Sequence, residues 1–135
     1  MQTVVVRGRP AQSVDPVAEL LASSADALRR AEWASSAALR YELAYLAALR
    51  SGAAVLARCA RPRSLRTRPQ GMWSLLAATA PEMSEWAQFF AICGARSTGL
   101  QEGRAAVSVR EADDLVREAA AFAAIVSGRV ARAQR

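Results

Sequence analysis

The sequence contains no histidine, no lysine and no asparagine. Without imidazole the chain lacks the side chain that most often serves as general base, as partner of a nucleophile and as metal ligand near neutral pH. Most familiar hydrolase constellations are excluded on that ground. Cysteine is scarce: Cys59 and Cys93 lie far apart, each in an apolar helical run, and form neither a Cys-x-x-Cys pair nor a zinc site. Both are expected as buried free thiols. The acids Glu111, Asp113 and Asp114 lack the spacing of a calcium loop and suit a helix start, where the dipole favours negative charge. No metal and no cofactor is expected. P-loop, dinucleotide-glycine and nucleophile-elbow patterns are missing too. No apolar run approaches membrane-spanning length, and no charged segment followed by an apolar one opens the chain, so a soluble, cytoplasmic protein is expected.

What the chain does have is arginine. All 18 basic residues are arginine against 12 acids, giving a formal charge of +6. That surplus favours polyanionic partners, nucleic acid or acidic protein, and speaks to association rather than to fold. An alanine-rich, arginine-only composition is also that of GC-rich coding sequence, which lowers the weight of the charge. With 135 residues, the chain suits one domain with one core.

Residues 1–13 show a β-branched run, a glycine and a proline without helical periodicity, and are expected as an arm. Ser13 or Asp15 then caps a helix that Pro16 opens and that ends near Trp33. A second helix spans about Ser36 to Cys59, with Leu39, Leu43, Leu46 and Ala53 on one stripe and Tyr45, Leu49 and Leu56 beside it; it is too apolar for a surface helix. Met72, Trp73, Leu75 and Leu76 suggest a short helix. Thr79 with Glu82 matches a capping box around Pro81, opening a helix whose Met83, Trp86, Phe90 and Cys93, widened by Phe89, supply an aromatic face. Gly94, Gly99 and Gly103 are expected to weaken its far end. Ser108 with Glu111 makes a second capping box, and Leu115, Ala119, Phe122 and Val126 carry the last helix. The expected fold is all-α: a bundle of four principal helices plus a short one over residues 14–131, with no sheet and an arginine-tipped tail at 132–135.

Two features attract a functional reading. The stretch 61–68 carries Arg61, Arg63, Arg66 and Arg68 without an acid, just after Arg58, and Pro62 and Pro69 are expected to keep it extended. Such a run suits phosphate contact, positioning a nucleic acid without reading its sequence. A solvated linker is the competing reading, because no aromatic is interleaved for base stacking. Arg50 falls on the leucine stripe of the second helix. A guanidinium aimed at a core needs a partner, expected from Glu111, Asp113, Asp114 or Glu85. Its bland reading is a structural ion pair, its functional one a phosphate-binding arginine in a polar cleft between protomers.

The segments LAALRSGAAVLARCARPR, MWSLLAATAPEMSEWAQFFA and VREADDLVREAAAF resemble, in order, a HEPN subfamily of high-GC bacteria, over roughly residues 14–127. The resemblance implies a small helical bundle and a homodimer; many such domains are metal-independent RNases or toxins. The signature of the catalytic members is an arginine followed four to six residues later by a histidine. Arg96 stands at about that place, but Gln101, Glu102 and Gly103 occupy the positions where the histidine falls. RNA cleavage through the 2′-OH needs a proton acceptor and donor near neutral pH, which arginine cannot supply. Arg96 also reads simply as a helix-end arginine favoured by the C-terminal dipole. Arg50, Arg96, Glu102, Arg110 and Asp113 form the candidate set for the cleft. Three readings follow: a non-catalytic nucleic-acid-binding module for RNA or DNA, a helical adaptor for a partner protein, and a divergent RNase.

Overall fold

The computed structural model describes residues 15–59 and 69–133. The N-terminal arm, Arg61, Arg63, Arg66 and Arg68 and the last two residues lie outside the described residues. Five helices follow one another: α1 (Pro16–Glu32), α2 (Ala37–Cys59), α3 (Pro69–Thr79), α4 (Ser84–Gln101) and α5 (Val109–Ala133), with a 3-10 turn at Pro81–Met83 before α4. No strand occurs among the described residues, so the all-α expectation holds, with four principal helices and the short α3.

The helix starts follow from local chemistry. The Asp15 carboxylate accepts the Val17 N–H at 3.0 Å while Pro16 occupies the first turn, and Ser36 Oγ accepts the Leu39 N–H at 3.0 Å to open α2. At α5 the Ser108–Glu111 box is complete. The Glu111 N–H donates to Ser108 Oγ at 3.0 Å, and the Ser108 N–H donates to Glu111 Oε1 at 2.8 Å.

Three expectations at boundaries need correction. Pro69 belongs to α3 rather than to an extended strap, where its missing N–H removes no hydrogen bond of the first turn. Thr79 ends α3, so it cannot cap the next helix. Glu82 instead reaches across to Arg129, and Ser84 Oγ donates to the Pro81 carbonyl at 2.7 Å. The glycines do not break α4. The helix runs to Gln101 and stops in a Schellman turn: Gly103 takes a φ of +75°, Arg104 N–H bonds the Gly99 carbonyl at 2.7 Å and Gly103 N–H the Leu100 carbonyl at 3.2 Å.

α2 is the central element, packing most extensively on α1 and α5. Small residues let α1 approach closely: Ala27 and Ala31 on α1 and Ala44, Ala47 and Ala48 on α2 are buried. Ser24 Oγ donates to the Ala47 carbonyl and shares a hydrogen bond with Ser51 Oγ, both at 2.9 Å, so the hydroxyls in this seam are satisfied. The other side of α2 meets an aromatic cluster. Phe122 of α5 lies 5.1 Å from Phe90 and 5.3 Å from Trp86 of α4, and Trp73 of α3 lies 5.3 Å from Phe90, centroid to centroid. Phe89 lies at the partly exposed edge of this cluster. Leu39, expected on a buried stripe, is exposed, because it faces an open cleft shared with Thr98 and Gln101 of α4.

Candidate functional site

Chain direction determines what gathers at each end of the bundle. α1 and α2 are antiparallel, since Arg40 near the start of α2 donates through Nε to the Ala31 carbonyl near the end of α1 at 3.0 Å. α2 and α5 run the same way: Arg40 Nη1 meets Asp113 Oδ1 at 2.7 Å near the start of both, and Arg129 near the end of α5 lies against Cys59 at the end of α2. Asp15, Cys59 and Ala133 therefore lie at one end. Segments outside the described residues join the bundle at these three positions. At that end Arg58 is exposed, and Arg129 binds Glu82. This contact raises the Arg129 pKa; on Glu82 it adds to a bond from that residue's own N–H, and together they lower the carboxyl pKa.

The opposite end collects most of the cleft candidates, yet each is engaged separately. Arg96 Nη2 donates to the Ala106 carbonyl at 2.6 Å and to Glu111 Oε1 at 3.0 Å. The Ser108 N–H, helped by Arg96, holds the Glu111 carboxyl below the usual range. Glu102, at the C-cap of α4, is bound by the Arg104 guanidinium, with Nε at 2.9 Å. Asp113 is taken by Arg40, and Arg110 stands exposed on the first turn of α5. Asp114 pairs with Arg117, so Glu111, Asp113 and Asp114 face three different arginines.

Arg50 is not part of that group. It sits half-buried farther along α2, and its Nη1 donates to the Ser23 hydroxyl of α1 rather than to a carboxylate. The carboxylate expected of it is used by Arg40 instead, whose Nη2 also reaches the Ala34 carbonyl at 3.4 Å. Periodicity pointed to Arg50 because it shares the leucine stripe. Arg40 carried no such signal, since its guanidinium leaves the helix face to satisfy the orphan carbonyls ending α1.

The thiols differ as well. Cys93 is buried, and burial pushes its pKa up, while Cys59 is exposed, contrary to expectation. Burial and the hydrogen bond to Cys93 push the Tyr41 phenol up. Tyr45 lies across the α4 backbone at Gly94, its hydroxyl accepting the Trp73 Nε1–H at 2.9 Å. Trp33, beyond the end of α1, is 86% exposed. Sequence reasoning also left unseen a groove between α2 and α4, with leucines on one wall and Ser97 and Thr98 on the other. Neither wall is unusual alone, and only the pairing of the two helices creates it.

An all-helical bundle is the class of domain that the resemblance implies. The model of the SAV_6107-like HEPN family matches residues 31–127, and the chain belongs to that HEPN family. No curated protein and no solved structure matches the chain.

Proposed function

We propose that this HEPN-type module is non-catalytic and dimeric and binds the phosphate backbone of RNA or DNA through Arg58, Arg61, Arg63, Arg66 and Arg68. The distribution of charge carries the reading. Residues 15–59 and 69–133 hold eleven arginines and all twelve acids, so the bundle itself is close to neutral. The remaining 25 residues hold seven arginines and no acid, and three of their four junctions with the bundle, Asp15, Cys59 and Ala133, lie at one end. The positive surplus thus lies in segments joined mainly at one pole, which suits an electrostatic grip on a polyanion. The non-catalytic part rests on the missing histidine and on Glu102, exposed and bound to Arg104, which is a poor proton acceptor at neutral pH.

Fluorescence anisotropy with short single-stranded RNA and duplex DNA across a salt series tests this reading. Replacing Arg61, Arg63, Arg66 and Arg68 by alanine is expected to make the slope of log affinity against log salt shallower by about 3 to 4, less on single strands. Wild-type protein that binds neither ligand near physiological salt refutes it. The adaptor reading then takes its place, supported by the exposure of Trp33 and of Ile92, 72% exposed on α4.

A further inference from the structure

Between the antiparallel helices α2 and α4 lies a groove of about 360 Å³. Leu43, Leu46 and Leu49 form its apolar wall, and Glu42 stands among them with no ion pair among the described residues. On the facing wall Ser97 is only 3% exposed, yet its hydroxyl has no hydrogen-bond partner among the described residues. Buried hydroxyls are ordinarily satisfied, so this one points to a partner that enters the groove. Tyr45 also lines the space; its oxygen accepts from Trp73, and its own proton remains to be donated.

We propose that the groove binds a small amphipathic cation, with its apolar body on the three leucines, its protonated amine at Glu42 and a hydroxyl or carbonyl meeting Ser97. At about 30 Å³ for each water-sized unit, the space takes about ten to twelve heavy atoms, and a mostly apolar cleft with a few convergent polar groups is the ordinary form of a small-molecule site. The amine is assigned by charge: the lining contains Glu42 and no arginine. This site lies along the side of the bundle and does not depend on the nucleic-acid reading.

Tyramine, with an aromatic body, an amine and a hydroxyl, is the probe. Titrated into the full chain and followed by two-dimensional ¹H–¹⁵N NMR, it is expected to give saturable shifts at the amides of Glu42, Leu46, Ser97 and Thr98. Its acid counterpart, 3-(4-hydroxyphenyl)propionate, is expected to bind at least about tenfold more weakly, and Glu42→Gln to weaken tyramine by about tenfold, as loss of a charge-assisted contact does. Ser97→Ala is expected to cost about threefold. Absence of saturation up to about 10 mM, equal binding of the acid, or undiminished binding to a folded Glu42→Gln variant overturns the proposal. Concentration-dependent shifts at the same amides without tyramine overturn it too, because a second copy of the chain then fills the groove.

Discussion

Gly94→Ala sets two physical effects against each other at one atom. Inside a helix, replacing glycine by alanine is ordinarily stabilising by about 0.5–1 kcal/mol. At Gly94 the added Cβ would sit 2.3 Å from the Tyr45 hydroxyl oxygen and 2.8 Å from Cζ. The ring has little room to withdraw, because it is buried and its oxygen accepts from Trp73. Either α4 moves off α2, at a cost of about 1–3 kcal/mol for overpacking, or Tyr45 swings out and loses both the bond to Trp73, at about 1 kcal/mol, and its burial, at about 1.5–3 kcal/mol. The clash therefore outweighs the propensity gain, and a net loss of about 1–2 kcal/mol is expected. For a domain of this size that lowers Tm by roughly 3–8 °C, measurable by circular dichroism. Tyr45→Phe removes the atom in closest contact, so in the double variant the cost of the alanine should shrink. A Gly94→Ala protein more stable than wild type, or a cost unchanged by Tyr45→Phe, refutes the argument.

Arg40→Met should lose about 1–3 kcal/mol in urea unfolding, because it leaves the Ala31 carbonyl and Asp113 without their donor; Arg29→Met, at an exposed pair, should change stability by less than about 0.5 kcal/mol. Glu111 and Glu82 should titrate by NMR below the ordinary glutamate range. Their depressed folded-state values mean that the stability they add is present above the unfolded pKa and lost as pH falls through the folded one, so a melting series should decline through the acid range, and less steeply in Glu111→Gln. Ellman's reagent should modify Cys59 in the native protein and Cys93 only on unfolding; two equally fast thiols would contradict the burial of Cys93.

Local signals that depend on neighbours in sequence were the most legible. Asp15 before Pro16 and the Ser108–Glu111 box both act within one helical turn, and the all-α architecture follows from them together with the 3.6-residue pattern. The Thr79–Glu82 pair had the same spacing and failed, since a capping box requires a chain that has already left its previous helix, whereas Thr79 is still inside α3. Arg50 shows another limit. Periodicity says which face of α2 a residue occupies, but α2 is covered on several sides, and which arginine meets a carboxylate depends on where α5 begins. The groove lay further out of reach, being a property of two helices that are not consecutive in the chain. Arg61, Arg63, Arg66 and Arg68 remain a matter of composition and attachment, and the salt series tests them directly.

The arrangement of the aromatic cluster also bears on how the chain acquires its structure during synthesis. Phe122 and Val126 of α5, which follows the other described helices in the chain, are fully buried, and Phe122 is the partner of Trp73, Trp86 and Phe90. Until α5 leaves the ribosome, the growing polypeptide presents those three rings with one side uncovered. The core thus closes only once α5 has emerged, and until then the nascent chain depends on prompt synthesis of that helix, or on a chaperone that shields the rings, to avoid sticking to its neighbours.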